Sequence, residues 1–295
     1  MTLTELRYIV ALHEAQHFGR AAEQCFVSQP TLSVAIKKLE KSLGIALFER
    51  SRHRVWPTEA GERIVAQAIK VLAEADTLNS IAQAAKNPWS QPLKVGAIFT
   101  IGPYLLPRML PKIKASAPEL PIVVEESYTA ELRKKLRSGA LDAIIVALPF
   151  TEPDVLTVPL YDEPFVVLLP EDHPLAKLPA INPEQLLSQR LLLLGEGHCF
   201  RDQVLEMCPN IKETTQAFEN VSGTSLETIK YMVATGLGIT ILPKMAAETG
   251  NYHDTGLVVR PIDSPAHTGR TVALAWRASF PRPQIIDTLR DALKA

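Results

Sequence analysis

Cys199 and Cys208 stand nine positions apart in a stretch that reads Leu193-Leu194-Gly195-Glu196-Gly197-His198-Cys199-Phe200-Arg201-Asp202-Gln203. An apolar strand running into a glycine-containing turn predicts that a short helix opens near Cys199. A thiol at a helix N-terminus is favoured as thiolate by the helix dipole. Arg201 and His198 are close enough in sequence to add positive charge, and Asp202 is placed either to orient Arg201 or to shuttle a proton. Thiolate attacks peroxide and becomes sulfenic acid. If the segment is helical, nine steps span roughly 13 Å at the usual rise, whereas a disulfide needs Cα atoms within about 7 Å. A disulfide therefore requires the helix to unwind or bend, which would make oxidation a covalent input to a two-state element. Spacing alone leaves the other reading open, in which both cysteines are buried and inert. No zinc-type Cys/His cluster, phosphate-binding Walker loop, dinucleotide glycine fingerprint or HExxH motif occurs, so no metal site and no cofactor are expected.

The elements that must hold this segment alternate. Apolar runs at 93–99, 122–126, 143–147, 165–169, 190–194, 239–242 and 271–276 predict strands. The segments 104–115, 130–138, 183–187, 226–235 and 285–295 predict helices, and Thr224-Ser225-Leu226-Glu227 fits a capping box. Alternation of this kind implies α/β architecture with helices on both faces of the sheet. Thr100 follows the first strand and Thr129 the second, where each either faces a ligand crevice or simply caps a helix.

The first sixty residues have a different pattern. Leu6, Ile9, Val10 and His13 share one face of a first helix, and Ala21, Ala22 and Cys25 point inward from a second. Ser28 is placed to cap a third, with Pro30 tolerated in its first turn, and Gly44 to stop it. Leu32, Ile36, Leu39 and Leu43 form its apolar stripe. Helix, tight turn and capped helix make a helix-turn-helix, whose outward residues Gln29, Thr31, Ser33, Val34, Lys37 and Lys38 can enter a major groove or meet phosphates. Six Lys/Arg at 37, 38, 41, 50, 52 and 54 face only Glu40 and Glu49, a local charge of +4 in a chain of net charge −1. That makes Arg50, Arg52 and Arg54 a basic hairpin, either a DNA-tracking wing or an ordinary solvated surface. Thr58 then caps a helix over 59–86, in which Ile64, Ala68, Val71, Ala75, Leu78 and Ala82 follow heptad steps, the pattern of a pairing seam. An amphipathic helix packed on its own domain fits the same residues.

A length of 295 residues suits two or three domains, and 46% hydrophobic with 21% charged residues is the composition of a soluble globular protein. The N-terminus lacks signal-peptide features and no run of about 18 apolar residues exists, so a cytoplasmic protein is expected. In that compartment three cysteines are not a structural framework.

FGRAAEQCFVSQPTLSVAIKKLEKSLGIALFER followed by PTEAG resembles the N-terminal winged helix of LysR-type transcriptional regulators, over most of residues 1–61. GEGHCFRDQ with the second cysteine nine positions on, GAIFTIGPYLLP, Thr224–Thr228 and Arg270-Thr271-Val272-Ala273 resemble the hydrogen-peroxide-sensing members, extending the likeness over nearly the whole chain. The resemblance implies a winged helix-turn-helix (1–58), a dimerising linker helix (59–87) and an α/β effector domain (92–295) built like periplasmic binding proteins. Its two subdomains would be I (92–162 and 267–295) and II (163–266). It also implies Cys199 as the peroxide-reacting thiol, Cys208 as its resolving partner, and Thr100, Thr129, His198 and Arg270 around the peroxide pocket with Asp202 nearby. DNA contacts are expected from Ser28, Gln29, Pro30, Thr31, Ser33, Lys37, Arg50, Arg52 and Arg54. The implied protein is a transcriptional activator rather than an enzyme, a homodimer or homotetramer with DNA, hydrogen peroxide and RNA polymerase as partners. A metabolite-sensing LysR regulator, a two-cysteine thiol peroxidase and a solute-binding transport component are the competing expectations.

Overall fold

The computed structural model describes residues 1–51, 54–208, 222–249, 256–264 and 268–293. The chain divides into two compact units, one built on Met1–Lys86 and the other on most of the remainder.

In the first unit, α1 (Leu3–Ala15) opens with a capping box between Thr2 and Glu5. Helix α2 (Phe18–Gln24) is capped by the His17 ring, whose Nδ1 accepts from the amides of Gly19 and Arg20. It ends at Gln24, so Cys25 is the C-cap, half-buried and still packed against the core of this unit. Helix α3 (Gln29–Leu43) is capped by Ser28 and closed by Gly44 in the left-handed conformation at φ 72°. Leu32, Ile36 and Leu39 are buried, while Leu43, the expected fourth member of the stripe, lies past the core and is exposed.

Strands β1 (Phe48–Arg50) and β2 (Val55–Pro57) pair antiparallel as the hairpin. The Glu40 carboxylate accepts from the amides of Leu47 and Phe48 and fixes where it leaves α3. Thr58 caps α4 (Glu59–Ala84), and its hydroxyl donates to the Ala46 carbonyl. Gly61 is required there, because a Cβ would stand 2.0 Å from the Leu47 carbonyl oxygen. The α4 seam is split: Ile64 and Ala68 pack into the core of this unit, whereas Val71 and Leu78 are exposed.

The second unit is one continuous mixed sheet. In chain order its strands are β3 (Leu93–Ile98), β4 (Ile122–Ser127), β5 (Ala143–Ala147), β6 (Val155–Pro170), β7 (Leu191–Leu194), β8 (Ser222–Gly223), β9 (Ile239–Pro243), β10 (Leu257–Pro261) and β11 (Gly269–Arg277). They lie in the order β4-β3-β5-β11-β6-β9-β7-β8, and β10 pairs with the second half of β6 on the edge opposite β9. β5 and β9 are buried at every residue, the mark of strands covered on both faces. The helices are α5 (Gly102–Ser116), α6 (Thr129–Arg137), α7 (Pro183–Leu186), α8 (Cys199–Met207), α9 (Leu226–Ala234), α10 (Lys244–Glu248) and α11 (Pro283–Leu293).

Two hydrophobic cores result. One gathers β3, β5, α5, α6, α11 and most of β11; the other gathers the second half of β6 with β7, β9, α9 and α10. The first half of β6 and all of β10 carry no strand signature in the sequence, since their exposed and half-buried residues do not alternate cleanly. At the start of α9 the expected capping box is absent. Ser225, not Thr224, is the N-cap and accepts from the Thr228 amide, so Glu227 falls at the second helical position and its carboxylate instead accepts from Lys230 and Tyr104. Among the described residues no helix is long and apolar enough to cross a membrane.

Candidate functional site

Three chain segments end at the same place. β3 runs into the turn Phe99–Ile101, β4 into α6 at Thr129, and β7 through Gly195–His198 into α8. Carboxyl ends of parallel strands followed by helix N-termini are where α/β sheets bind ligands. Here they enclose a cavity lined by Phe99, Thr100, Tyr128, Thr129, His198 and Cys199 among others. Its free space for the centre of a water-sized molecule is about 10 Å³, close to the minimum that holds one such molecule.

Cys199 is the first residue of α8, is half-buried, and touches the first core. His198 precedes it as N-cap but its ring makes no capping hydrogen bond, and of the first-turn amides that of Arg201 donates to the His198 carbonyl. The Thr129 hydroxyl is buried in the cavity wall with no hydrogen-bond partner among the described residues. Thr100 is held rigidly: its Oγ1 accepts from Arg270 Nη1 at 2.7 Å and its carbonyl from Nη2 at 2.8 Å. Because that hydroxyl accepts from a guanidinium, its own proton remains to donate elsewhere.

Arg270 is anchored in turn by Glu163, with Nε and Nη2 at 2.8 and 2.7 Å from Oε2. The Glu163 Oε1 accepts from the Met245 amide. Both side chains of this ion pair are out of solvent. Arg270 thus acts on the cavity through Thr100 and does not line it.

His198 departs from expectation. It is buried, its ring centroid 4.8 Å from Tyr128 and 5.9 Å from Phe99, and burial pushes its pKa below the ordinary 6.5. The ring is therefore neutral near pH 7 and contributes shape, not positive charge. Arg201 is directed to the Leu194 carbonyl at 2.9 Å, tying α8 back to β7. Asp202 is exposed and does not line the cavity, so the site gathers Thr100, Thr129, His198 and Cys199 while Asp202 stays outside. Glu163, Phe99 and Tyr128 were missed by sequence reasoning; the last two carry a weak signal as aromatic residues immediately after predicted strands.

Cys208 is the C-cap of α8, only 3% exposed in the second core, and burial raises its pKa above 9.0. Both thiols are unbonded. The two cysteines stand at opposite ends of a two-turn helix and belong to different cores. The described residues hold no cluster of His, Cys, Asp and Glu fit for a metal ion.

On the first unit, Ser28, Gln29, Pro30, Thr31 and Lys37 are exposed along the start and outer face of α3, and Ser33 is half-exposed. Arg54 is exposed on the hairpin. Arg50 lies 4.7 Å over the Phe18 ring and 3.5 Å from Glu40, so part of its function is internal. Arg52 lies outside the described residues.

A winged helix-turn-helix joined by a helix to a two-core ligand-binding α/β unit is the architecture of a ligand-responsive DNA-binding regulator. Comparison with known proteins agrees. Residues 3–62 match the family described as bacterial regulatory helix-turn-helix protein, lysR family, and residues 86–295 match the LysR substrate binding domain. The chain is 40% identical to the DNA-binding transcriptional dual regulator OxyR of Escherichia coli K12 over 295 residues, covering 100% of this chain and 95% of that one. It resembles full-length OxyR C199D from Pseudomonas aeruginosa at 56% identity and a TM-score of 0.77, covering 99% and 94% of the two chains. A mutant OxyR of Corynebacterium glutamicum with H2O2 bound is 34% identical with a TM-score of 0.63, covering 99% and 91%. The chain belongs to the LysR family of transcriptional regulators.

Proposed function

We propose that this chain is a hydrogen-peroxide-sensing transcriptional regulator switched by oxidation of Cys199 and its disulfide with Cys208. The observation that carries the reading is the cavity beside Cys199, sized for one very small polar molecule and walled by the Thr129 hydroxyl, unpartnered among the described residues, and the spare proton of Thr100. A metabolite of ordinary size does not fit that space. The OxyR relatives, one of them described with H2O2 bound, support the same ligand.

The chemistry balances in two steps. Cys199 thiolate attacks one peroxide oxygen; the S–O bond forms, the O–O bond breaks, and the departing hydroxide takes a proton to become water. Thr100 and Thr129 hydrogen-bond the peroxide oxygens, and the N-terminus of α8, the positive end of its dipole, lies beside the negative charge. Cys208 then attacks the sulfenic sulfur, forming the S–S bond, while the hydroxide released combines with the Cys208 proton as water. The two thiols have supplied the two electrons that reduce peroxide.

Nine residues of helix separate the thiols by roughly 13 Å, beyond disulfide reach. Resolution therefore unwinds α8 and withdraws Cys208 from the second core. We read α3 as the DNA-reading helix, with Ser28, Gln29, Pro30, Thr31, Ser33 and Lys37 on the duplex and Arg50, Arg52 and Arg54 along its backbone. The exposed Val71 and Leu78 give α4 a seam for pairing two chains, which matches paired half-sites on DNA. A tetramer, a cytoplasmic setting and contact with RNA polymerase as an activator complete the proposal.

Brief treatment of the reduced protein with about equimolar hydrogen peroxide, followed by mass spectrometry, tests it. A Cys199–Cys208 disulfide with Cys25 free is expected. An unreactive Cys199 in folded, reduced protein would overturn the peroxide reading in favour of a metabolite-sensing regulator.

A further inference from the structure

The cavity beside Cys199 has a buried side and an outer side. Ile98, Thr100 and His198 form the buried side. Among the described residues that line it, only Tyr128, 40% exposed, and Gly197 stand in solvent. Gly197 carries no side chain and holds the left-handed conformation at φ 89°. The Tyr128 ring is therefore the one sizeable exposed group in the wall, between the free space and the surrounding water.

Packing places that ring. Its centroid lies 5.2 Å from Phe99, edge-on at 82°, and 4.8 Å from His198, within the range where aromatic pairs attract. A Cβ on Gly197 would stand 3.4 Å from its Cδ1 and Cε1 atoms, so the ring lies against the turn that delivers Cys199. Among the described residues no hydrogen bond holds its hydroxyl; the ring and not the phenol oxygen closes the wall. Behind it the free space, about 10 Å³ for the centre of a water-sized molecule, takes one such molecule. Hydrogen peroxide, two oxygens long, is close to that size. An alkyl hydroperoxide carries in addition a carbon group that has no room while the ring is in place.

We propose that the Tyr128 ring sets which oxidant reaches Cys199: packed on Phe99, His198 and Gly197, it shuts alkyl hydroperoxides out of the cavity and admits hydrogen peroxide. This deepens the peroxide reading above and rests on it. Once the ring is replaced by a smaller side chain, an alkyl hydroperoxide reaches the thiolate. The Cys199 sulfur attacks its terminal oxygen, the S–O bond forms and the O–O bond breaks, and the departing alkoxide takes a proton to become the alcohol. The thiol is oxidised to sulfenic acid and the hydroperoxide is reduced.

The test treats full-length reduced protein with excess hydrogen peroxide or tert-butyl hydroperoxide. The remaining Cys199 thiol is counted by mass spectrometry after alkylation in denaturant, and the ratio of the two rates is the readout. In Tyr128→Ala the preference for hydrogen peroxide should fall about tenfold or more, the low end of what one misfitting methylene does to a rate ratio. Tyr128→Leu, which keeps an apolar side chain against Phe99 and His198, should fall between, and Tyr128→Phe should keep the wild-type preference. A merely loosened turn would change both rates together, so an unchanged ratio in Tyr128→Ala and Tyr128→Leu overturns the proposal, as does loss of the preference in Tyr128→Phe. A second readout needs no peroxide: iodoacetamide, bulkier than hydrogen peroxide, should label native Cys199 about tenfold faster in Tyr128→Ala, with Cys25, in the other unit, unchanged. Wild-type Cys199 inert to hydrogen peroxide, with labelling accelerated in the variant, would sink the peroxide reading and leave Tyr128 as the closure of the cavity. Labelling that does not accelerate would sink the closure whatever the peroxides do.

Discussion

Replacing Glu163 by Ala isolates the anchor of the cavity beside Cys199. The substitution leaves the Arg270 guanidinium fully buried, still bonded to Thr100 but with its charge unopposed and two short N–H···O bonds broken. Removing one partner of a buried ion pair costs about 3–5 kcal/mol, and the Met245 amide is deprived of its acceptor as well. A denaturant slope of about 2.5 kcal/mol/M in urea then converts a loss of ~4 kcal/mol into a midpoint about 1.6 M lower. The assay is urea unfolding of the full-length chain in reductant on a Trp56→Phe background, so that fluorescence comes from Trp89 and Trp276 in the second unit. Glu163→Gln, which keeps an acceptor but not the charge, should fall between. The double variant Glu163→Leu with Arg270→Met should be less destabilised than the sum of its single changes, because no charge is left stranded. A midpoint shift below about 0.4 M for Glu163→Ala would refute the claim that this pair fixes Thr100.

Three further outcomes are expected. Iodoacetamide at neutral pH should label Cys199 at least tenfold faster than Cys208, which is buried and whose pKa burial raises; mass spectrometry of the native protein reads the order, and equal rates would contradict the packing of Cys208. Stability should fall as pH drops below about 6.5: the unfolded His198 takes up a proton there while the buried ring resists, so the loss grows until pH passes the lower folded value. Urea midpoints from pH 7.5 to 5, with His198→Asn flattening part of the slope, check the sign. Gly61→Ala should destabilise the winged-helix unit by about 1–3 kcal/mol or more through overlap with the Leu47 carbonyl, measured as a lower melting temperature of that unit.

The winged helix was legible because its signals are local. Ser28, Gly44 and Thr58 act within a few residues of themselves, and Leu32, Ile36 and Leu39 repeat on one helix. Most of the strands and helices of the sensor unit were readable for the same reason, whereas β8, β10, the first half of β6 and α10 were not. What the sequence withheld depends on burial and long-range partners. Glu163 meets Arg270 across 107 positions, and no local pattern announces the pair. His198 was assigned a charge because sequence shows its neighbour Cys199 but not the rings of Tyr128 and Phe99 that dehydrate it. Asp202 was drawn toward the cavity by proximity along the chain, yet its place on α8 turns it to solvent. The heptad seam of α4 was ambiguous because a helix can show one apolar stripe to two neighbours in succession, and Ile64 and Ala68 meet their own unit first.

β6 has a consequence for the kind of motion this molecule allows. Its 16 residues, about 50 Å of extended chain, run as one strand from one core into the other, with a single register shift at Leu160, paired first with β11 and then with β9 and β10. Such a strand is a splint. A jaw-like closing of the two halves would bend it and tear hydrogen bonds from its ladders on either side. Under the switch proposed above, oxidation at Cys199 would find its cheapest outlet in refolding a two-turn helix, a step that is either taken or not. On that proposal the splint would make the response a threshold rather than a gradual flexing, and would keep the rest of the sheet in register while the helix is lost.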